Sequence, residues 1–309
     1  MRAETHRHSA KYGKGEYVLT DADLPAQVDE GALAKQIRGT LTSPTFRPPM
    51  LPAVAVEVLE LCRRPNVGGD RVGALLERDP VLAGVAMRRV QSAVYASAMP
   101  VTSIRHAVTR LGLQAVRDIV LEAAFNLKVF RIPGQAATAE SIRRHSASVA
   151  HVARLAARYT PLESENAFLL GLVHDVGLIG CLMALEASPK PPALTPEMWL
   201  GIGGIHEEVG AALARLWQLP ADTQLAIGHH HRLKIQGQPH PLLALLSVAE
   251  YFAIRAGRDG APALSHADAL GGESASFERL QEAAEFLRLN SRHLELIEKE
   301  VPSILEKVA

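Results

Sequence analysis

The sequence predicts an all-α fold, on three observations. Apolar residues recur at three- and four-residue spacing through most of the 309 residues, which is the period of one helix face. These stretches stop at helix punctuation, such as Asp79 before Pro80 and Gly112 after Leu111, where capping and helix-breaking residues belong. Strand-like alternation is confined to one short patch, Glu16–Thr20.

Residues 1–27 are polar and irregular and read as a mobile or partner-dependent arm. Residues 29–42 form a first helix, and the proline-rich run Pro44–Pro52 then fixes an extended entry into the folded part. Val54, Val56, Val58, Leu59 and Leu61 mark the next helix; Val72, Leu75 and Leu76 mark another, which stops before Asp79. Asp79 as cap with Pro80 in the first turn opens a helix through Leu82, Val85 and Met87. Helices at 103–111 and 114–130 follow, and the loop Arg131–Ala136 divides two helical halves. The second half carries helices near 138–159, 163–175, 178–187, 204–217, 221–231 and 239–256. Gly257–Pro262 looks like a linker, and 275–308 reads as two charged amphipathic helices. The organisation is therefore an arm with one helix (1–44), a main domain (45–256, with halves 45–132 and 133–256) and a C-terminal helical extension (257–309).

Lys+Arg and Asp+Glu are 33 each, so no global charge draws this chain to nucleic acid or an anionic membrane. Cys62 and Cys181 lie in apolar, helix-like segments, as reduced buried thiols of a cytoplasmic protein do. The start, Met1–His8, has no apolar signal core, and no run is read as reaching the roughly 18 apolar residues of a membrane span. A cytoplasmic protein without a membrane span is the expectation.

His174 and Asp175 end the apolar run Phe168–Val173. An imidazole beside a carboxylate in a low-dielectric wall offers two ligands to one divalent cation, whose charge offsets the cost of burying the acid. His145 shares a helix face with Ser148, Val149, Val152 and Ala156, and His206 precedes Gly210 by one turn. His229, His230 and His231 close the helix opened by Leu219-Pro220, with His230 following Ala226 and Ile227 at helical spacing. Glu250 sits on the face of Leu243 and Leu246, where a carboxylate needs a partner. Taken singly, a histidine on an apolar face is more often a hydrogen-bonded core residue, the His229–His231 run could answer a helix dipole, and Glu250 could pair with Arg232 or Arg255. Taken together, separate helices supply His, His-Asp, His, His-His and Glu, and a shared metal site explains the set best. The candidate ligands are His145, His174, Asp175, His206, His229, His230 and Glu250.

This order resembles the ligand order of the HD superfamily of metal-dependent phosphohydrolases, which includes the HD-GYP cyclic-di-GMP phosphodiesterases. Other runs are similar to successive signatures of the HDOD domain, an HD-related output domain of bacterial signalling proteins. They are Leu51-Pro52-Ala53-Val54, Asp79–Leu82, Gln91–Tyr95, Ser103–Val108, Leu111-Gly112, His206–Gly210, Leu216–Pro220 and His229-His230. The resemblance covers about residues 45–256. It implies a multi-helix HDOD fold, with an N-terminal helical subdomain packed on an HD-like one and extra segments at both ends. It also implies a regulatory module that binds signalling proteins or a nucleotide second messenger without catalysis, and a site for Mn, Fe, Ni, Zn or Mg.

Two departures argue against a cyclic-dinucleotide phosphodiesterase. Leu178 stands three residues after Asp175 where those enzymes commonly carry Lys, removing a charge that would steady a transition state. The Gly-Tyr-Pro loop is absent, the segment reading Arg232–Pro241, and Glu250 stands where Asp is usual. The alternative is a metal-dependent HD phosphohydrolase acting on a nucleotide or cyclic dinucleotide, with Asp175 at the centre of its chemistry. A third reading is a nucleotide sensor that retains its ligand. Arg88-Arg89 and Arg143-Arg144 are read as solvated helix faces and Trp199 and Trp217 as packing residues; a homodimer is left open.

Overall fold

Capping side chains and prolines set where the helices begin. The computed structural model describes residues 18–24, 31–51, 53–62, 67–76, 78–91, 101–188, 190–260, 272–306 and 308. Glu16 and Tyr17 of the strand-like patch, Ser92–Tyr95 of the Gln91–Tyr95 signature and the side chain of Cys62 lie outside the described residues. Val18–Thr20 are not a strand.

The front half comprises α1 (Ala32–Leu41), α2 (Ala53–Cys62), α3 (Gly69–Leu76), α4 (Pro80–Val90), α5 (Ile104–Leu111) and α6 (Leu113–Lys128). Asp79 Oδ1 accepts the Leu82 amide at 3.0 Å with Pro80 in the first turn, as the sequence predicts. Ser103 caps α5 by accepting the His106 amide at 3.1 Å, and Gly112 at φ 87° separates α5 from α6. Helices α2, α4 and α5 pack on α6.

The back half comprises α7 (Ala136–Ala157), α8 (Ser164–Val173), α9 (Val176–Glu186), α10 (Pro196–Leu216), α11 (Ala221–Ile227) and α12 (Pro241–Arg255). Helix α10 begins eight residues earlier than 204, because Thr195 caps the Met198 amide at 3.4 Å and Pro196 occupies the first turn. Helix α11 ends at Ile227 rather than 231, and the chain turns through Gly228–His231. A hairpin absent from the sequence reading follows, β1 (Lys234–Ile235) against β2 (Gln238–Pro239), with Gln236 and Gly237 at positive φ of 51° and 78°. Two consecutive left-handed residues suit a tight hairpin turn. Two more helices, α13 (Gly272–Phe286) and α14 (Ser291–Leu305), return to pack on α12 and α7.

Packing corrects two expectations. The stretch Asn166–Glu186 is long and apolar enough to cross a membrane, with mean hydropathy 2.0, against the reading that no run reaches that length. It is 94% buried inside the fold, broken at His174-Asp175 and covered by α7, α10 and α12, so a core pair accounts for it. The described part of the N-terminal arm is likewise packed. Leu19, Leu24, Ile37 and Leu41 are buried, and Arg38 donates to both carboxylate oxygens of Glu208 at 2.8 and 3.1 Å, tying α1 to α10. Trp199 and Trp217 are core residues, with Trp217 Nε1 donating to the Pro49 carbonyl at 2.9 Å. Burial pushes the Cys181 thiol up, which leaves it inert.

Candidate metal centre

His174 and Asp175 occupy the corner between α8 and α9, as C-cap of one and N-cap of the next. Two glycines let this corner close. A Cβ on Gly171 would lie 2.5 Å from the Ala150 Cα on α7. A Cβ on Gly177 would run into the His206 carbonyl and come within 2.7 Å of the Gly210 amide on α10. Only bare backbone permits that approach, and it brings His145 on α7 and His206 on α10 to the corner. Gly210, read from sequence as leaving room, admits Ile227 of α11.

Asp175 lies among imidazoles. Its Oδ2 is 3.3 Å from His174 Nε2 and 3.7 Å from His145 Nε2. Its Oδ1 is 3.3 Å from His230 Nε2 and 3.8 Å from His206 Nε2. Glu250 Oε1 approaches His174 Nε2 to 3.6 Å from α12. His206 Nε2 lies 3.1 Å from His230 Nε2 and 2.9 Å from His231 Nε2. Two trios result, His145–His174–Asp175 and His206–His230–His231, each with its ligand atoms within 4.8 Å of one another.

The other ring nitrogens explain the orientation. His174, His206 and His230 each place Nδ1 on the carbonyl three residues back, Gly171 at 2.8 Å, Gly203 at 2.9 Å and Ile227 at 2.7 Å. His145 places Nδ1 on the Arg258 carbonyl at 2.6 Å. A carbonyl only accepts, so each Nδ1 carries hydrogen, and the Nε2 of each neutral ring presents a lone pair inward. His206 and His230 then face each other with Nε2 atoms 3.1 Å apart, an arrangement that either one shared proton or a metal cation satisfies. Hydrogen-bonded imidazoles around buried carboxylates are the donor set of a borderline divalent metal, and the residues present fit one or two such ions.

Electrostatics agree. Burial pushes the His174 imidazole down, but the Asp175 and Glu250 carboxylates, with the Gly171 carbonyl, outweigh it and raise its pKa from 6.5 to about 9. The site collects positive charge, as a proton when no metal is bound. It is closed off around Asp175, where His145, His174, Asp175 and His230 are 0% exposed, His206 2% and Glu250 4%, while His231 is half-buried at its edge.

Six of the seven sequence candidates converge, and His229 does not. Because α11 stops at Ile227, the turn carries His229 to a surface cavity beside Gln224 and Arg232. His231 joins His206 in its place, and its amide is held by Glu207 Oε1 at 2.9 Å. Sequence reasoning also missed Arg279 on α13, which donates to the His231 and His230 carbonyls at 2.7 and 2.8 Å and to Ser247 Oγ at 2.9 Å. Arg88 and Arg144 are exposed as expected, whereas Arg89 approaches Glu122 and Arg143 bonds Glu140.

Residues 49–233 match the HDOD domain family. The chain is 22% identical over 215 residues to an uncharacterized protein of Treponema pallidum (strain Nichols), spanning 65% of this chain and 41% of that one. The chain thus matches less than half the length of that curated relative. A solved HDOD domain protein of unknown function from Geobacter sulfurreducens shares the fold at TM-score 0.64 and 23% identity, over 89% of this chain and 96% of that one. A structure described as "Putative metal-dependent phosphohydrolase" from Shewanella amazonensis SB2B superposes at TM-score 0.67 and 20% identity, over 90% and 98% of the two chains. The all-α architecture and the family match over 49–233 agree, and this chain belongs to the HDOD domain family.

Proposed function

We propose that this chain is a bacterial cytoplasmic signalling protein whose HDOD domain binds a divalent cation and acts on partner proteins without hydrolysis. The observation that carries the reading is the buried centre, in which histidines anchored through Nδ1 turn Nε2 toward Asp175 while the six converging residues are at most 4% exposed. His145, His174, Asp175 and Glu250 would hold one cation, and His206, His230 and His231 with the far oxygen of Asp175 a second. A bound ion would supply fixed positive charge in place of the proton on His174, and its ligands would tie α7, the α8–α9 corner, α10, the turn after α11 and α12 to one another. Occupancy therefore biases helix packing, which partners or a nucleotide messenger can read. Leu178, 2% exposed and without charge, supports binding over turnover.

The position of the Asp175 carboxylate between the two trios favours a second reading, a metal-dependent phosphohydrolase of a nucleotide or cyclic dinucleotide. Protein purified without a His-tag and its Asp175→Asn variant separate the two. Stoichiometric metal in the parent, loss of it in the variant and no turnover of cyclic dinucleotides or nucleoside phosphates is the expected result. Turnover that disappears with the variant establishes the enzyme, and a parent free of metal removes both readings.

A further inference from the structure

If the centre holds metal as proposed, part of its support comes from outside the family-matched segment. We infer that Arg279, on α13, is a positioning residue for the His206–His230–His231 trio, and that the C-terminal extension is thereby coupled to metal occupancy.

His230 and His231 lie in the turn beyond Ile227, where carbonyls have no partners from the helix ladder. Arg279 supplies them: one guanidinium nitrogen binds the His231 carbonyl at 2.7 Å, another the His230 carbonyl at 2.8 Å, and Nε is braced on Ser247 Oγ at 2.9 Å. The planar guanidinium sets both donor directions at once, a geometry that lysine cannot reproduce. With both carbonyls fixed, the two residues leave the turn with their imidazoles directed at His206. Ser247 in turn donates to the Leu243 carbonyl within α12 at 2.9 Å, so the brace rests on a core helix.

A second link runs the same way. His145 takes its hydrogen-bond acceptor from Arg258 and lies against Gly260. The Arg258 guanidinium donates to the Leu305 carbonyl at the end of α14 at 3.2 Å. Each trio is thus oriented by residues beyond 233, where the family match ends. Groups that orient ligands typically set metal affinity by about 10–100-fold, and coupling of this kind is reciprocal. The Arg279 charge itself repels a cation, so removing it tests which effect wins.

The test uses the full chain without a His-tag, stripped by chelator and titrated with Co2+, read by visible absorption and by counting bound ions. Arg279→Gln is expected to weaken Co2+ binding about 10–100-fold, Arg279→Lys to recover part of it, and Leu280→Ala, a packing change one residue along α13, to leave affinity within about twofold. Unchanged or tighter binding in Arg279→Gln overturns the inference, as does an equal loss in Leu280→Ala. If the unaltered chain binds no Co2+, the metal reading itself falls. Amide exchange of the unaltered chain needs no variant to fold: Co2+ is expected to slow exchange across α13, and equal exchange with and without Co2+ overturns the coupling.

Discussion

Helix α7 carries two buried histidines six residues apart, and they serve opposite ends. His145 turns Nε2 toward Asp175 in the candidate metal centre. His151, roughly 240° around the helix, donates Nε2–H to Glu122 Oε1 at 2.7 Å and accepts from Arg154 at 3.0 Å through Nδ1. Around His151 the acids meet arginines: Arg89 lies 3.7 Å from Glu122, Arg117 2.7 Å from Asp118, and Arg154 also pairs with Asp118. Around His145 the acids meet imidazoles. Both clusters are buried, both mix His with carboxylates, and burial alone does not separate them. The difference is that arginines neutralise the acids of one region while imidazoles surround those of the other, which in the proposed reading take a cation from outside.

The largest expected effect falls on the internally neutralised network. Glu122→Ala strands buried positive charge and should cost about 3–5 kcal/mol in denaturant unfolding, with metal content unchanged. Burial opposes ionisation of Glu122, yet His151 and the arginines hold its carboxyl below the ordinary 4.5. Its folded-state pKa is depressed, so its contribution is present above about 4.5 and lost as pH falls through the lower folded value. An acid-unfolding midpoint that is the same with and without Glu122 contradicts this.

Asp175→Asn should act on metal content, weakening metal binding by about 100-fold or more, roughly 2.7 kcal/mol, and because it removes the carboxylate that raises the His174 pKa it should also remove the part of the metal-free protein's stability that is lost between about pH 6.5 and 9. If the two variants give the same profile of stability and metal content, the distinction between the regions fails.

A smaller effect follows from protonation. Metal-free His174 is raised to about 9 and carries a proton at neutral pH, so metal uptake at pH 7 should release it. Calorimetry in buffers of different ionisation enthalpy reads that release, and affinity should climb with pH until about 9. Because the folded-state value is raised, the His174 contribution to the metal-free fold is complete below about 6.5 and disappears as pH rises through about 9. Affinity flat from pH 6 to 9 would count against the proton as the metal's substitute.

The smallest effect discriminates within the histidine run. His229→Ala should change stability by less than about 0.5 kcal/mol and leave metal binding as it was, while His231→Ala should weaken binding about tenfold. Equal losses would return His229 to the centre.

Much of this was legible in the chain. Apolar periodicity marked the helices, and the same periodicity placed His145, His206 and Glu250 on faces that point inward, which is why they converge. His229 lies apart from the other candidates for a local reason. Helical spacing was extended through a run that leaves the helix at Ile227, and a turn rotates successive side chains differently. Arg279 carried no local signal, since its partners are backbone carbonyls 48 and 49 residues away. The Arg258 carbonyl that orients His145 is a main-chain group, identical in every residue type.

By itself the sequence determined the all-α class, the cap that starts α4, and six of the seven residues of the proposed centre, because these depend on side-chain type and spacing along one helix. The tertiary structure decided which nitrogen of each histidine faces inward, which members of the His229–His231 run lie against His206, and that Arg279 of α13 reaches the His230 and His231 carbonyls. Those depend on where carbonyls, glycine contacts and distant helices meet, and only the packed chain brings them together.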